Sequence, residues 1–331
     1  MGVRSHMVID RSKVNRILVI TLSNVGDIIL TTPVIQRLKK EFPGARLDLM
    51  VGPRGKEIFE RDPAIFKLLI YDKHMSIAAK RRLQLKLKRL HYDFVVDLRN
   101  TIFPLLIGPK YRTGTIQRFP KEIVRKSQRH LYRLEPFGMG YLDEPSYIHI
   151  PEDEDERVLA MLKESKIGDP VVVINPGAKS HLKRWRGEGF ARVAERLMEE
   201  CGTEVVFVGA GEDALIVDAV MRKMGRRAHN FVGRTNIRQL AALLKRARLL
   251  ITNDSAPLHL ACAVGTKTLA LFGPTDPKKY GPTGEFDIVI NKKLVCSPCE
   301  SAVCRNNLEC MALITPEEVF ETAKEMLEGY E

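Results

Sequence analysis

Short, uniformly apolar runs alternate with amphipathic stretches along this chain, and the alternation starts over midway. In the first half, residues 16–21, 46–51, 67–71 and 94–98 read as buried strands, while 28–42, 55–61 and a basic segment ahead of residue 94 read as helices. The second half restarts with strands at 171–175, 204–208, 249–252 and 268–272. Helices are expected at 187–201, 213–224, 237–245, from about 256 to 264, and at 316–329. Strands this apolar, separated by helices, belong in parallel sheets covered on both faces. The pattern predicts an α/β chain of two Rossmann-like domains, residues 1–152 and 153–331, joined at the acidic, turn-rich stretch 151–155, where charge and composition shift. No shorter repeat and no low-complexity segment interrupts it.

Composition agrees with this reading and narrows it. A chain of 331 residues is long for one hydrophobic core, and 44% hydrophobic with 28% charged residues is the balance of a soluble globular protein. No apolar run approaches the ~20 residues that span a bilayer, and no signal-peptide core is present, so a cytoplasmic location is expected. Residues 2–7 (GVRSHM) resemble a cloning remnant and are set aside.

The formal charge is +12, concentrated in the first half. Lys80, Arg81, Arg82, Lys86, Lys88 and Arg89 share one predicted helix, whose apolar stripe is Leu83, Leu87 and Leu90. Arg118, Lys121, Arg125, Lys126, Arg129 and Arg133 form a second cluster. Each residue alone is an ordinary solvated charge. Together they suggest an anionic acceptor, an anionic membrane surface or nucleic acid. Aromatic residues are only 7%, and no basic stripe interleaves with stacking side chains, which speaks against nucleic acid.

In open α/β sheets, ligands bind beyond the carboxyl ends of the strands, so chemistry is sought in the loops that follow them. The first loop, residues 22–27, is not G-x-G-x-x-G, which counts against a dinucleotide enzyme. It leaves Asp27 at a helix N-terminus, either as a cap or as a base for an attacking hydroxyl. The second loop, Asn175-Pro176-Gly177-Ala178-Lys179-Ser180, runs on to Lys183, Arg184 and Trp185. Its lysines can converge on the helix at Pro257, with Lys183 neutralising a diphosphate; Trp185, the only tryptophan, reads as structural. In the third loop, 209–212, Glu212 can bond ribose hydroxyls. The fourth is Thr252-Asn253-Asp254-Ser255-Ala256-Pro257-Leu258-His259. Small polar residues at that strand-to-helix junction either cap the helix through Asp254 or Ser255, or leave backbone amides open to a phosphate.

Taken in order, these pieces resemble a known family. The motif S-x-x-G-D followed by T-x-P (Ser23, Gly26, Asp27, Thr31 to Pro33), the blocks N-P-G-A, K-R-W and T-N-D-S-A-P-L-H, and F-G-P-T (Phe272 to Thr275) are similar to glycosyltransferase family 9, the ADP-heptose:lipopolysaccharide heptosyltransferases. The likeness runs from about Arg16 to Leu327. It implies a GT-B fold, with an N-terminal acceptor domain and a C-terminal nucleotide-sugar domain whose sheets face an interdomain cleft, and a last helix able to pack back on the first domain. By position, Asp27 matches the family's catalytic base, Lys183 its phosphate-contacting lysine and Glu212 its ribose-binding acid. Asp254, Ser255 and Ala256 match the phosphate-binding turn, His259 the histidine of the same motif, and Thr235 the adenine pocket; Lys179 and Ser180 join the nucleotide-sugar set. Two departures stand out: Ala178 and Lys179 replace a Thr pair found in some members, and Ser255-Ala256-Pro257 replaces the more usual Ser/Thr-Gly-Leu.

The resemblance implies an inverting displacement in which Asp27 takes the acceptor proton while Lys183 and the helix amides stabilise departing ADP, with no metal required for catalysis. The implied acceptor is a lipid-linked, anionic inner-core glycan. Arg99, Arg112, Arg118, Lys121, Arg125 and Arg129 are candidates to clamp its acidic groups, and the same charge would hold the protein against the inner leaflet of the cytoplasmic membrane. Another nucleotide sugar within the family, or a basic nucleic-acid- or membrane-binding module without catalysis, are the competing readings. An epimerase or dehydrogenase is disfavoured, since neither the glycine fingerprint nor a Tyr-x-x-x-Lys is present. Cys201 and Cys262 read as core residues. Cys296, Cys299, Cys304 and Cys310 cluster before the last helix, and their C-x-x-C start fits a structural Zn site, an iron–sulfur centre or free thiols.

Overall fold

The computed structural model describes residues 9–21, 23–114, 117–141 and 144–329. The remnant-like residues 2–7 and Leu22 of the first loop lie outside them. The chain divides into two compact units, 1–149 and 150–331.

In the first unit the chain runs β1 (Arg16–Ile20), α1 (Val25–Ile29), α2 (Thr32–Glu41), β2 (Arg46–Val51), α3 (Lys56–Phe59) and β3 (Lys67–Ile70). It continues through α4 (Ile77–Arg89), β4 (Phe94–Asp97), α5 (Phe103–Ile107), β5 (Tyr111–Arg112) and α6 (Lys126–Leu131). The strands are parallel in the order β3-β2-β1-β4-β5, with β1 at the point where the order reverses. The expected helix 28–42 is two helices. Pro33 has no N–H to offer the Ile29 carbonyl, so the Thr32 hydroxyl donates to that oxygen at 2.7 Å and the Thr31 hydroxyl donates to Ile28 O at 2.6 Å. The expected helix 55–61 shortens to α3, behind a 3-10 turn at Pro53–Gly55.

The second unit opens with α7 (Glu152–Glu164), β6 (Val171–Asn175), α8 (Gly187–Glu200), β7 (Glu204–Phe207), α9 (Ala214–Met221) and β8 (His229–Asn230). It continues with α10 (Ile237–Arg246), β9 (Leu249–Asn253), α11 (Ala256–Val264), β10 (Thr268–Phe272) and α12 (Pro277–Tyr280). It ends with β11 (Ile288–Asn291), α13 (Glu309–Ala312) and α14 (Pro316–Glu328). Its sheet is also parallel, in the order β11-β10-β9-β6-β7-β8. The sequence pattern missed β5, β8 and β11, and all three are edge strands. β5 and β8 are two residues each, too short for any periodicity to register.

The acidic stretch 151–155 is not turn-rich: residues 152–155 are the first turn of α7, where carboxylates meet the positive end of the helix dipole. Glu154 faces inward and accepts from Arg238 Nη2 at 2.9 Å, Asn236 Nδ2 at 3.1 Å and Gln239 Nε2 at 2.7 Å. Burial alone would raise its pKa, but the bonds from Arg238, Asn236 and Gln239 bring it below the ordinary glutamate range. This network ties α7 to α10, so the helix belongs to the second unit. The last helix likewise serves its own unit: Val319, Phe320, Ala323 and Met326 pack with Phe190, Val193 and Leu197 of α8 and with Ile251 of β9. Glu154→Ala leaves the buried Arg238 guanidinium without its carboxylate and should lower the unfolding free energy by about 2–3 kcal/mol, read as a lower urea midpoint at unchanged slope. An unchanged midpoint would show that the network does not stabilise the join.

Candidate active site

Five loops leave the carboxyl end of the second sheet side by side: 273–275 after β10, 254–255 after β9, 176–183 after β6, 208–213 after β7 and 231–235 after β8. Two buried asparagines join the central pair. Asn175, opposite Thr252 in the β6/β9 register, directs its Nδ2 to Gly177 O at 3.0 Å, Thr252 Oγ1 at 3.1 Å and Ser255 Oγ at 2.9 Å. Asn253 donates to Pro176 O at 2.8 Å and accepts from Trp185 N at 3.0 Å.

These bonds decide what the start of α11 is for. Ser255 holds the N-cap position with extended backbone, yet its side chain makes no capping bond. Its hydroxyl is engaged by Asn175 and by Thr252 Oγ1, 3.1 Å away. Asp254 is not the cap either. Its carboxylate accepts from Lys183 Nζ at 2.6 Å and from Thr275 Oγ1 at 2.7 Å. The first-turn amides therefore lack the side-chain oxygen that closes most helix N-termini, and an ammonium stands beside them. Lys183 sits on a 3-10 turn, His181–Lys183, with its Nζ 6.0 Å from the Tyr280 ring centroid.

The neighbouring loops close tightly on this centre. A Cβ on Gly177 would lie 2.6 Å from the Asp213 carboxyl carbon, so any side chain there would displace Asp213. Asp213 in turn accepts from Ala210 N at 3.0 Å. Gly233, with φ +68°, brings the next loop against Gly211 and donates to Gly209 O at 3.0 Å. Glu212 and Lys179 are exposed, Ser180 and Thr235 are half-buried, and His259 is buried on α11. Trp185 is structural: it is buried edge-on against Phe190 and donates to Ile314 O at 3.0 Å. Asn175, Asn253 and Thr275 fall within the sequence motifs without a role that sequence assigns, and Asp213 falls outside them. A paired Asn-bearing strand end on each of two adjacent strands was the available signal.

On the first unit, Asp27 is half-buried in the opening turn of α1 and accepts from Asn24 Nδ2 at 3.1 Å. Asn24, not Asp27, occupies the N-cap, so the capping role first weighed for Asp27 falls away.

A sequence profile of glycosyltransferase family 9 (heptosyltransferase) matches residues 116–309. The chain belongs to glycosyltransferase family 9. A lipopolysaccharide core heptosyltransferase of Haemophilus influenzae is 25% identical over 295 residues, covering 82% of this chain and 83% of that one. A solved family 9 glycosyltransferase from Veillonella parvula superposes with a TM-score of 0.83 at 25% identity, over 95% of this chain and 97% of the other. The E. coli ADP-heptose heptosyltransferase II gives a TM-score of 0.78 at 23% identity, over 95% and 99%. The fold is GT-B, and the protein is a glycosyltransferase.

In this family 9 glycosyltransferase the candidate acceptor residues have diverse surroundings. Arg112, Arg118 and Lys121 are exposed. Arg99 lies over the Tyr71 ring, 5.5 Å from its centroid, and Arg125 is the N-cap residue of α6. Arg129 donates from Nε to Ile123 O at 2.9 Å and lies 5.5 Å from the Phe119 ring centroid. Arg133, counted with the second basic cluster, is not a surface charge. It is buried and braces the chain through Asp97 O, Gly114 O and Asn100 Oδ1.

The four clustered cysteines line one small cavity together with Leu182 and Pro274. Among the described residues, however, no three His, Cys, Asp or Glu side chains are gathered closely enough to hold a metal ion.

His130 packs near Arg133 and Lys126. Burial, and after it those two positive charges, push its pKa down from 6.5 to about 3. Its Nδ1 is buried without a hydrogen-bond partner. The unfolded chain therefore takes up a proton that the folded chain refuses. Stability from this residue is full above about pH 6.5 and is lost as pH falls toward 3. Thermal melts across that window should show a shallower fall in Tm for His130→Gln than for the wild type; equal slopes would mean that the imidazole is solvated.

Proposed function

We propose that this glycosyltransferase moves a heptose from ADP-heptose to the inner core of lipopolysaccharide by a single inverting displacement. The observation that carries the reading is the uncapped start of α11 beside the Lys183–Asp254 pair. Those amides and the Lys183 ammonium bind the diphosphate and stabilise the charge that grows on departing ADP. An ammonium has three donors, and Asp254 fixes Lys183 in place through one of them. Glu212 bonds the ribose, Thr235 lines the adenine pocket, and Lys179, Ser180 and His259 complete the nucleotide-sugar site. Asp27 accepts the proton of the acceptor hydroxyl as it attacks the anomeric carbon.

The acceptor is an anionic glycan carried on lipid, and Arg99, Arg112, Arg118, Lys121, Arg125 and Arg129 clamp its acidic groups. No helix among the described residues is long and apolar enough to cross a membrane. The protein works in the cytoplasm, held at the inner leaflet by its charge and without a nucleic-acid partner. The names of similar proteins support the donor and acceptor: one of them is an ADP-heptose heptosyltransferase, another a lipopolysaccharide core heptosyltransferase.

Asp27→Ala should lower kcat by about 10²–10⁴ while leaving ADP affinity within a few fold, measured by turnover and by calorimetry. Near-normal kcat removes Asp27 as the base. The same calorimetry with UDP and GDP tests the donor, since tighter binding of either points to another nucleotide sugar. The reaction so proposed demands no metal ion, because Lys183 and the helix amides supply the positive potential a divalent ion would otherwise provide.

We further propose that Cys296, Cys299, Cys304 and Cys310 draw together around a structural zinc ion when it binds, since the thiols as they stand are not gathered closely enough to hold one. Two features of the thiols support this. All four line one cavity. The Cys304 sulfur accepts backbone N–H bonds from Asn306 at 3.4 Å and Leu308 at 3.3 Å, which orient it. Zinc would hold this loop beside Leu182 and Pro274, next to Lys183 and Thr275. One equivalent of zinc by elemental analysis is expected, and less than about a tenth of an equivalent refutes the site.

A further inference from the structure

The face of the first unit formed by α4 and α5 combines two properties that a solvated surface does not combine. The first is charge. Between residues 73 and 121 there are twelve Lys and Arg against two Asp, which leaves this stretch with ten of the chain's twelve net positive charges. Both aspartates are turned to backbone amides: Asp93 accepts from Asn15 N and Arg16 N, and Asp97 from Arg99 N and Thr101 N. Six of the basic residues lie on α4, which carries no acidic residue.

The second property is exposed apolar surface amid that charge. On α4, Leu83, Leu87 and Leu90 face the core, whereas Ile77 is 86% and Leu85 46% exposed among Arg81, Arg82, Lys86, Lys88 and Arg89. The short helix α5 packs beside α4. It is anchored by buried Phe103 and Ile107, yet Ile102 is 65%, Leu105 54% and Leu106 37% exposed. A helix turned to water would place polar residues at those positions.

We infer that the α4–α5 face is a docking surface for an anionic lipid bilayer, with Ile77, Leu85, Ile102, Leu105 and Leu106 entering the headgroup boundary and the α4 basic residues pairing with lipid phosphates. Charge complementarity argues for this occupant. A second copy of the chain would set the same positive charge against itself, and nucleic acid gives no place to bare aliphatic side chains that do not stack. Topology gives the contact a purpose, which rests on the function proposed above. Asp27 follows the carboxyl end of β1, Ile77 that of β3 and Ile102 that of β4, and these strands are parallel. The inserted residues and the base thus leave the same end of one sheet, so an acceptor held in the bilayer would offer its hydroxyl on the side where Asp27 stands.

Flotation with phosphatidylglycerol-rich vesicles, with no donor or acceptor present, tests the surface independently of catalysis. The wild-type protein should bind these vesicles and not pure phosphatidylcholine. High salt should weaken the binding without abolishing it. Ile102→Ser with Leu105→Ser should remove the salt-resistant part, and Arg81→Glu with Arg82→Glu the salt-sensitive part, each by about tenfold or more. All four positions are at the surface, so the melting temperature and transfer to a soluble, lipid-free acceptor should be unchanged in both variants. Equal vesicle binding by wild type and variants would overturn the proposal. So would duplex DNA competing with vesicles through the same arginines while Ile102→Ser with Leu105→Ser had no effect. Vesicle binding as expected with no turnover on any acceptor would retain the surface and refute the assigned reaction instead.

Discussion

A carboxylate with almost no access to water must find donors within the protein, and Asp254 finds them in Lys183 and Thr275. Much of the second unit's chemistry depends on that choice. Had Asp254 turned to the amides of α11, the helix would have been closed in the ordinary way and nothing would remain for a ligand. By bonding Lys183 instead, it joins the loops after β6, β9 and β10 and keeps an ammonium beside the helix start. Asn175 does the same for Ser255, drawing the other candidate cap away from the helix end. The uncapped state of the turn is therefore a result of competition between hydrogen-bond partners, and the adjacent strands win it.

The two units share an architecture and differ in what their carboxyl edges present. The second offers an ammonium, backbone N–H groups and tightly packed glycine loops, suited to a diphosphate. The first offers a carboxylate at Asp27, while Asp97 at the end of β4 is occupied by the Arg99 and Thr101 amides. A fold repeated twice thus carries two opposite local electrostatic characters, which the proposed reaction would use for a leaving group and for a nucleophile.

The central strands were legible because a strand buried on both faces can be little but apolar. The boundaries of β2, β6 and β10 agree with the sequence pattern to the residue. Of the edge strands, β3 was legible, whereas β5 and β8 were not, since they have too few residues to show a period. The break between α1 and α2 was written in Thr31-Thr32-Pro33, yet it needed the hydroxyl-to-carbonyl bonds to become evident. The acidic run ahead of residue 156 resembled a linker by composition and is a helix start by physics, because carboxylates favour that end of a dipole.

The sequence by itself determined the α/β class, the doubling, the positions of the strand-end loops and the residue types able to bind phosphate or accept a proton. Periodicity and local chemistry suffice for these, since each depends on neighbours a few positions away. The tertiary structure alone decided which of several competent groups bond to one another: Asp254 to Lys183 and not to its own helix, Arg133 inward and not toward an acceptor, Ile102 and Leu105 outward although apolar. Those outcomes depend on partners tens of residues distant, brought together by strand order, and no local pattern encodes that order.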